Sequence, residues 1–220
     1  MEPYQKARKN MVDCQIHPAG IIDMALLDSF ETVPREMFVP DSYKNNAYND
    51  EDIELGHGRY LLEPSVHARM IQALDLKPDD VVLMIGGGTG YGAAILSPLV
   101  STVVVVESDK DLLSKASRLW SQLDFCNIAA IEGDLREGNA ENAPYDSILI
   151  NGAVNEVPES ILKQLAPKGV LISIVKKPGN VMGQARLFQN NGDGTFSSHA
   201  VFDAGTPYLS GFEPKPEFQF

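Results

Sequence analysis

The 220-residue chain is poor in cysteine, poor in positive charge and free of long apolar runs. Two cysteines, Cys14 and Cys126, are too few for a disulfide framework or a zinc site, so no metal is expected. They are expected to be buried thiols in a reducing, cytoplasmic compartment. Eighteen Lys and Arg stand against thirty Asp and Glu, a formal net charge of −12. A nucleic-acid binder needs a basic footprint to displace counterions, so no nucleic-acid partner is expected. The apolar stretches reach strand length, far short of the ~20 residues of a membrane helix. The first seventeen residues carry no apolar signal segment. Neither a membrane partner nor a leader is expected. With no repeat and no low-complexity tract, what is left is a single globular domain, long enough to bury a substantial core.

Residues 5–17 read as a first helix ended by His17-Pro18-Ala19-Gly20, and residues 21–32 repeat apolar side chains at helical spacing and predict a second. Residues 39–60, rich in Asn, Asp, Gly and Tyr, read as an ordered loop region, and Pro64 opens a helix over 65–75. An alternation follows. Strands at 81–85, 102–107, 128–131, 145–150 and 170–175 are separated by helices at 91–98, 110–123 and 158–165. That order predicts an α/β fold: a mostly parallel sheet with helices on both faces. Asn190-Asn191-Gly192-Asp193-Gly194 is a turn signal between strands 184–190 and 196–203, so the sheet is expected to finish in an antiparallel hairpin. The tail from Gly205 reads as irregular and pinned by its aromatics. The chain divides into an N-terminal helical and substrate-side segment (1–75), a cofactor-binding core (76–176) and a C-terminal hairpin and tail (177–220).

The most informative segment is Val81-Val82-Leu83-Met84-Ile85-Gly86-Gly87-Gly88-Thr89-Gly90-Tyr91-Gly92. An apolar strand stops at a glycine cluster and a helix starts beyond it, as where a backbone loop lies against a ligand. The next strand ends in Glu107, whose carboxylate can accept hydrogen bonds from both hydroxyls of a ribose. The third ends in Glu132-Gly133-Asp134-Leu135, suited to an adenine: the Asp takes the exocyclic amine and a backbone N–H reaches a ring nitrogen. Two cofactors compete. Gly88-Thr89-Gly90-Tyr91-Gly92-Ala93 satisfies the dinucleotide pattern, whereas Gly86-Gly87-Gly88-Thr89-Gly90 fits the G-x-G-x-G of Class I S-adenosylmethionine sites. About eighty residues precede the first strand, no second substrate domain follows, and the acidic balance suits a sulfonium better than a pyrophosphate. The methyl donor is the preferred cofactor. Its expected ligands are Gly86, Gly88, Thr89, Gly90, Glu107, Asp134 and Leu135, in a Rossmann-like Class I methyltransferase sheet.

Further motifs stand in order: Val33-Pro34-Arg35-Glu36-Met37-Phe38-Val39-Pro40, Ala47-Tyr48-Asn49-Asp50, Leu55-Gly56-His57-Gly58, Pro144-Tyr145-Asp146-Ser147-Ile148 and Gln164-Leu165-Ala166-Pro167-Lys168-Gly169-Val170-Leu171. With them, over nearly its whole length, the chain resembles the protein-L-isoaspartate O-methyltransferase family, whose strand and loop usually read VLEIGTGSGYQAA. The resemblance implies protein repair: methylation of the stray α-carboxylate of an isoaspartyl residue, which returns to aspartate through a succinimide. A carboxylate is already ionised at neutral pH. Such a reaction asks for positioning in a dry pocket rather than for a base. The implied partner is a protein or peptide with a free carboxylate.

The chain departs from the family pattern beside the acceptor. Gly58-Arg59-Tyr60-Leu61-Leu62-Glu63-Pro64 stands where the family reads about G-Q/A-T-I-S-x-P, so Tyr60 replaces a Thr and Leu62 replaces the Ser whose hydroxyl, the resemblance implies, binds the substrate carboxylate. Met84 replaces an acidic residue and Leu135 a Gly. No catalytic residue is assigned; Arg59, as a substitute carboxylate partner, Tyr60, as a pocket wall, and His67 are the candidates. His57 is expected to cap a glycine turn, and Tyr43 and Tyr48 to brace the loop. His17 and His199 show no constellation. Two functions follow: a methyltransferase with isoaspartyl recognition changed or lost, whose acceptor is then another small molecule or peptide, or a non-catalytic protein that binds the cofactor. A dinucleotide oxidoreductase is a distant third.

Overall fold

The computed structural model describes residues 3–214. It opens with helix α1 (Pro3–Met11), which continues as a π-turn over Val12–Ile16 and a 3-10 turn over His17–Ala19. Pro18 and the left-handed Gly20 end it. The second helix, α2 (Met24–Thr32), starts three residues later than the spacing suggests, because Asp23 caps the amides of Ala25 and Leu26. The region 39–60 holds a 3-10 segment (Asp41–Asn46) and a small antiparallel ribbon, β1 (Ile53–Gly56) with β2 (Arg59–Leu61), where an ordered loop was expected. Strands of three and four residues with polar members carry too little alternation to be read from sequence. Helix α3 (Pro64–Ala73) follows, its N-terminal amides capped by Asp50 and Asp52.

The alternation then unrolls as expected: β3 (Val81–Ile85), α4 (Tyr91–Leu96), β4 (Thr102–Glu107), α5 (Lys110–Gln122), β5 (Ile128–Glu132), β6 (Tyr145–Val154), α6 (Glu159–Leu162), β7 (Leu165–Val175), β8 (Gly183–Asn190) and β9 (Phe196–Ala204). The helix expected over 158–165 is cut to one turn, because β7 takes up the chain at Leu165, five residues earlier than expected. The seven strands lie in the order β5-β4-β3-β6-β7-β8-β9. The first five are parallel; β8 and β9 close the sheet as the antiparallel hairpin. This is the Class I methyltransferase fold with an N-terminal helical extension.

Val82–Ile85, Val103–Val106 and Ile148–Ile150 are buried on both faces, which is why they read as unbroken apolar runs rather than alternating ones. Successive strands step from β3 outward to β5, then return to β6 on the other side of β3. The crevice of the sheet therefore opens at the C-terminal ends of β3 and β4, where a wound sheet binds its ligand. The two cysteines correct an expectation: both are exposed, Cys14 on the π-turn and Cys126 in the turn before β5. No helix among the described residues is long and apolar enough to cross a membrane.

Candidate active site

β3 delivers the glycine loop to the crevice. Gly86, Gly88 and Gly90 have φ of 78°, 54° and 93°, and Gly90 caps α4 from the left-handed region. Each is also approached closely. A Cβ on Gly90 would lie 2.6 Å from Trp120 Nε1, one on Gly86 2.8 Å from Leu209 Cδ1, and one on Gly88 3.0 Å from Leu55 Cδ1. Asn151, at the point where β6 passes the loop, donates Nδ2 to the Gly86 carbonyl at 3.1 Å, and its Oδ1 is buried without a partner among the described residues. A polar residue after the run Ile148-Leu149-Ile150 is the same signal that marks Glu107.

Glu107 sits at the tip of β4, fully buried. Its Oε2 accepts from the Gly88 amide at 2.9 Å; its Oε1 accepts from the Ser108 and Asp109 amides at 2.8 and 3.0 Å. Arg59, from β2, completes the shell. Its Nε lies 3.1 Å from both carboxylate oxygens, and its Nη2 donates to Oε1 at 2.8 Å and to Ser108 Oγ at 2.8 Å. An ionised carboxylate offers about four lone-pair sites, and these donors use them all. The candidate carboxylate partner Arg59 is thus paired inside the chain.

The neighbouring turn repeats the arrangement more loosely. His57, with φ of 56°, sits between Gly56 and Gly58 as expected, and its Nδ1 contacts the Asp109 carboxylate. Asp109 caps α5 by accepting from the Asp111 and Leu112 amides, and the Leu112 amide and then the His57 contact hold its pKa below the usual carboxylate range.

Leu62 is fully buried, and its carbonyl accepts from Arg35 Nη2 at 2.8 Å. Arg35, from the Val33–Pro40 motif, is itself without exposure; its Nε donates to the Ala47 carbonyl at 2.6 Å and its guanidinium lies over the Tyr91 ring. Tyr60 is half-buried and lines, with Leu62, Asn151, Tyr208 and Leu209, a narrow cleft with no room for a water molecule. Glu36, of the same motif, is held by Arg8 and by the hydroxyl of Tyr48; Tyr48 braces this region, whereas Tyr43 is exposed.

His67 does not line this cleft; it is packed between Phe30 and Tyr91 with both ring nitrogens unpartnered among the described residues. Burial pushes its pKa down to about 3, so the ring is neutral at physiological pH. Met84 is buried too, and a Cβ on Gly92 would lie 2.4 Å from its methyl and 2.9 Å from His67 Cε1. Where the family's usual string carries Glu and Gln, this chain has Met84 and Gly92, an apolar side chain filling the space the missing one leaves. Leu135 is buried in the cluster that holds Leu83, Ile85 and Val106, and Asp134 beside it is exposed, with Oδ1 accepting from the Arg136 amide at 2.8 Å.

The family model for protein-L-isoaspartate(D-aspartate) O-methyltransferase matches residues 6–204. The chain belongs to this family. It is 35% identical over 189 residues to the protein-L-isoaspartate O-methyltransferase of Azorhizobium caulinodans, covering 86% of this chain and 87% of that one. It is 38% identical over 174 residues to that of Methylorubrum extorquens, covering 79% and 76%. A solved protein-L-isoaspartate O-methyltransferase superposes with a TM-score of 0.79 at 28% identity, over 93% of this chain and 66% of that one. A putative Plasmodium falciparum member, solved with S-adenosyl-L-homocysteine, has a TM-score of 0.77 at 19% identity over 96% and 99%, which speaks to the fold. Members of the family are S-adenosylmethionine-dependent O-methyltransferases that act on proteins with damaged aspartyl residues.

Against that cofactor, the frame of the site fits and its interior does not. The left-handed glycine loop, the acid at the tip of β4 and an exposed Asp134 are in place. The lone pairs a ribose would use on Glu107 are taken by Arg59, and Leu55 and Leu209 rest on the glycines.

Proposed function

We propose that the chain is an S-adenosylmethionine-dependent O-methyltransferase for a carboxylate of a protein or peptide, with isoaspartyl recognition weakened. Gly86, Gly88, Thr89, Gly90, Glu107, Asp134 and Leu135 are the proposed cofactor residues. The observation that carries the changed recognition is at position 62. A leucine without exposure stands where the family places an acceptor-binding hydroxyl, and Tyr60 beside it narrows the same cleft. A desolvated carboxylate that lacks one donor loses of order 1.5–3 kcal/mol, or about one to two decades in rate.

Transfer of labelled methyl to an isoaspartyl peptide tests this. The expected rate is about one to two decades below that of an ordinary family member, with Leu62→Ser recovering about tenfold. Turnover at the ordinary rate by the unaltered chain overturns it. The buried Leu62 in a cleft with no room for a water molecule favours a second reading, a non-catalytic member; it predicts cofactor binding without methyl transfer to the peptide by either the unaltered chain or Leu62→Ser.

A further inference from the structure

The glycine loop is covered by two strips of the chain's own polypeptide. One is the β1–β2 ribbon, a two-stranded sheet separate from the main one. The other is the segment following β9, where Leu209 bonds back to the Ala153 carbonyl, Lys176 Nζ donates to the Thr206 carbonyl at 2.6 Å and the Tyr208 hydroxyl to the Lys176 carbonyl at 2.7 Å. The strips touch over the loop: a Cβ on Gly58 would lie 2.9 Å from Ser210 Cβ. The ribbon is held down mainly through side chains, Arg59 on Glu107, His57 on Asp109 and Leu55 on Gly88.

We propose that Arg59 sets the cofactor affinity of this site: its guanidinium occupies the places on Glu107 that a ribose diol would take, and cofactor binds by displacing it together with the β1–β2 ribbon. The inference rests on the reading that S-adenosylmethionine binds at the glycine loop. Three observations support it. A diol needs both carboxylate oxygens, and the Arg59 fork covers both. Arg59 is not needed to hold the carboxylate, because the amides of Gly88, Ser108 and Asp109 bond to its two oxygens independently of Arg59. Finally, a two-stranded ribbon is marginal alone and opens at low cost once its anchors go. A ligand that binds an open state loses apparent affinity in proportion to the open fraction. A site closed nine-tenths of the time therefore binds about tenfold more weakly than the same site left open.

Calorimetric titration of the full chain with S-adenosylhomocysteine, together with hydrogen exchange of the amides of residues 53–61, tests the proposal. Arg59→Ala and Arg59→Gln are expected to bind about tenfold or more tightly than the unaltered chain. They are also expected to exchange faster over 53–61 without losing the global unfolding transition. Adding Glu107→Gln to either should remove the gain. The glutamine variant keeps the test available should the alanine variant fold poorly. If the unaltered chain binds and both variants bind equally or more weakly, the proposal is wrong and the cofactor reading survives. If no variant binds while exchange over 53–61 rises, the cofactor reading has failed and takes the proposal with it.

Discussion

Residues 86–90 and residues 53–62 face each other across one crevice, and different forces hold them. The glycine loop is a wall. It continues a strand buried on both sides, bonds to its neighbours through the Gly86 amide on the Val106 carbonyl and the Asn151 amide on the Gly86 carbonyl, and is backed by Val105 and Trp120. The ribbon is a cover. Its two strands pair with each other alone, and it meets the wall through the side chains of Leu55, His57 and Arg59. Departures at the acceptor side, Tyr60 and Leu62, lie on or just past the cover. Those flanking the wall, Met84 on β3 and Gly92 on α4, compensate each other in volume. A wall built from buried strands admits change in complementary pairs, whereas a cover held by a few side chains can take a single charged residue that alters what the crevice accepts.

The largest effect is expected where cover and wall are joined. Arg35→Ala strips the donors from the Ala47 and Leu62 carbonyls and leaves a cavity beside Tyr91, so it should lower the unfolding free energy by about 3–5 kcal/mol. Urea denaturation measures this; a loss under about 1 kcal/mol would mean that the two regions are not coupled through Arg35. Next is the wall alone. Met84→Ala empties the space next to Gly92 and should cost about 3 kcal/mol, with the β1–β2 amides exchanging as before. Exchange that speeds up over 53–61 would blur the division. The smallest step concerns pH. The folded pKa of His67, about 3, lies below its unfolded 6.5, so as pH falls from 6.5 the unfolded chain takes a proton that the folded one refuses. Stability present above pH 6.5 should decline toward pH 3 by up to about 1.4 kcal/mol per unit. Comparing urea midpoints at pH 6 and pH 5 with those of His67→Leu isolates this slope. If both proteins lose stability equally, His67 is not the buried neutral group described.

Much of the wall was legible in the sequence and little of the cover. β3 and β4 sit within the boundaries expected, because strands buried on both faces leave unbroken apolar runs bounded by glycine and acid. Glu107 was legible for the same reason. Asn151, inside β6 after Ile148-Leu149-Ile150, carries the same signal of a polar residue closing an apolar run. Arg59 was picked out as a carboxylate partner; that its partner lies in the chain, forty-eight residues along, has no local trace. His67 and the two cysteines have surroundings that no local pattern shows, and the expected burial of the thiols is the reading the structure corrects. Their surroundings come from packing between distant segments, so His67 is enclosed by Phe30 and Tyr91 while both thiols are left at the surface.

The sequence by itself determined the alternation of strands and helices from β3 onward, the glycine loop and the acids beside it, and the family, because each is written in local spacing, hydrophobic period and short motifs. Which groups those acids hold was decided by the tertiary structure. Hydrogen bonds and close packing depend on how segments far apart in the chain are brought together, and the meeting of β2 with the tip of β4 exists once the sheet has wound and the ribbon has folded down upon it.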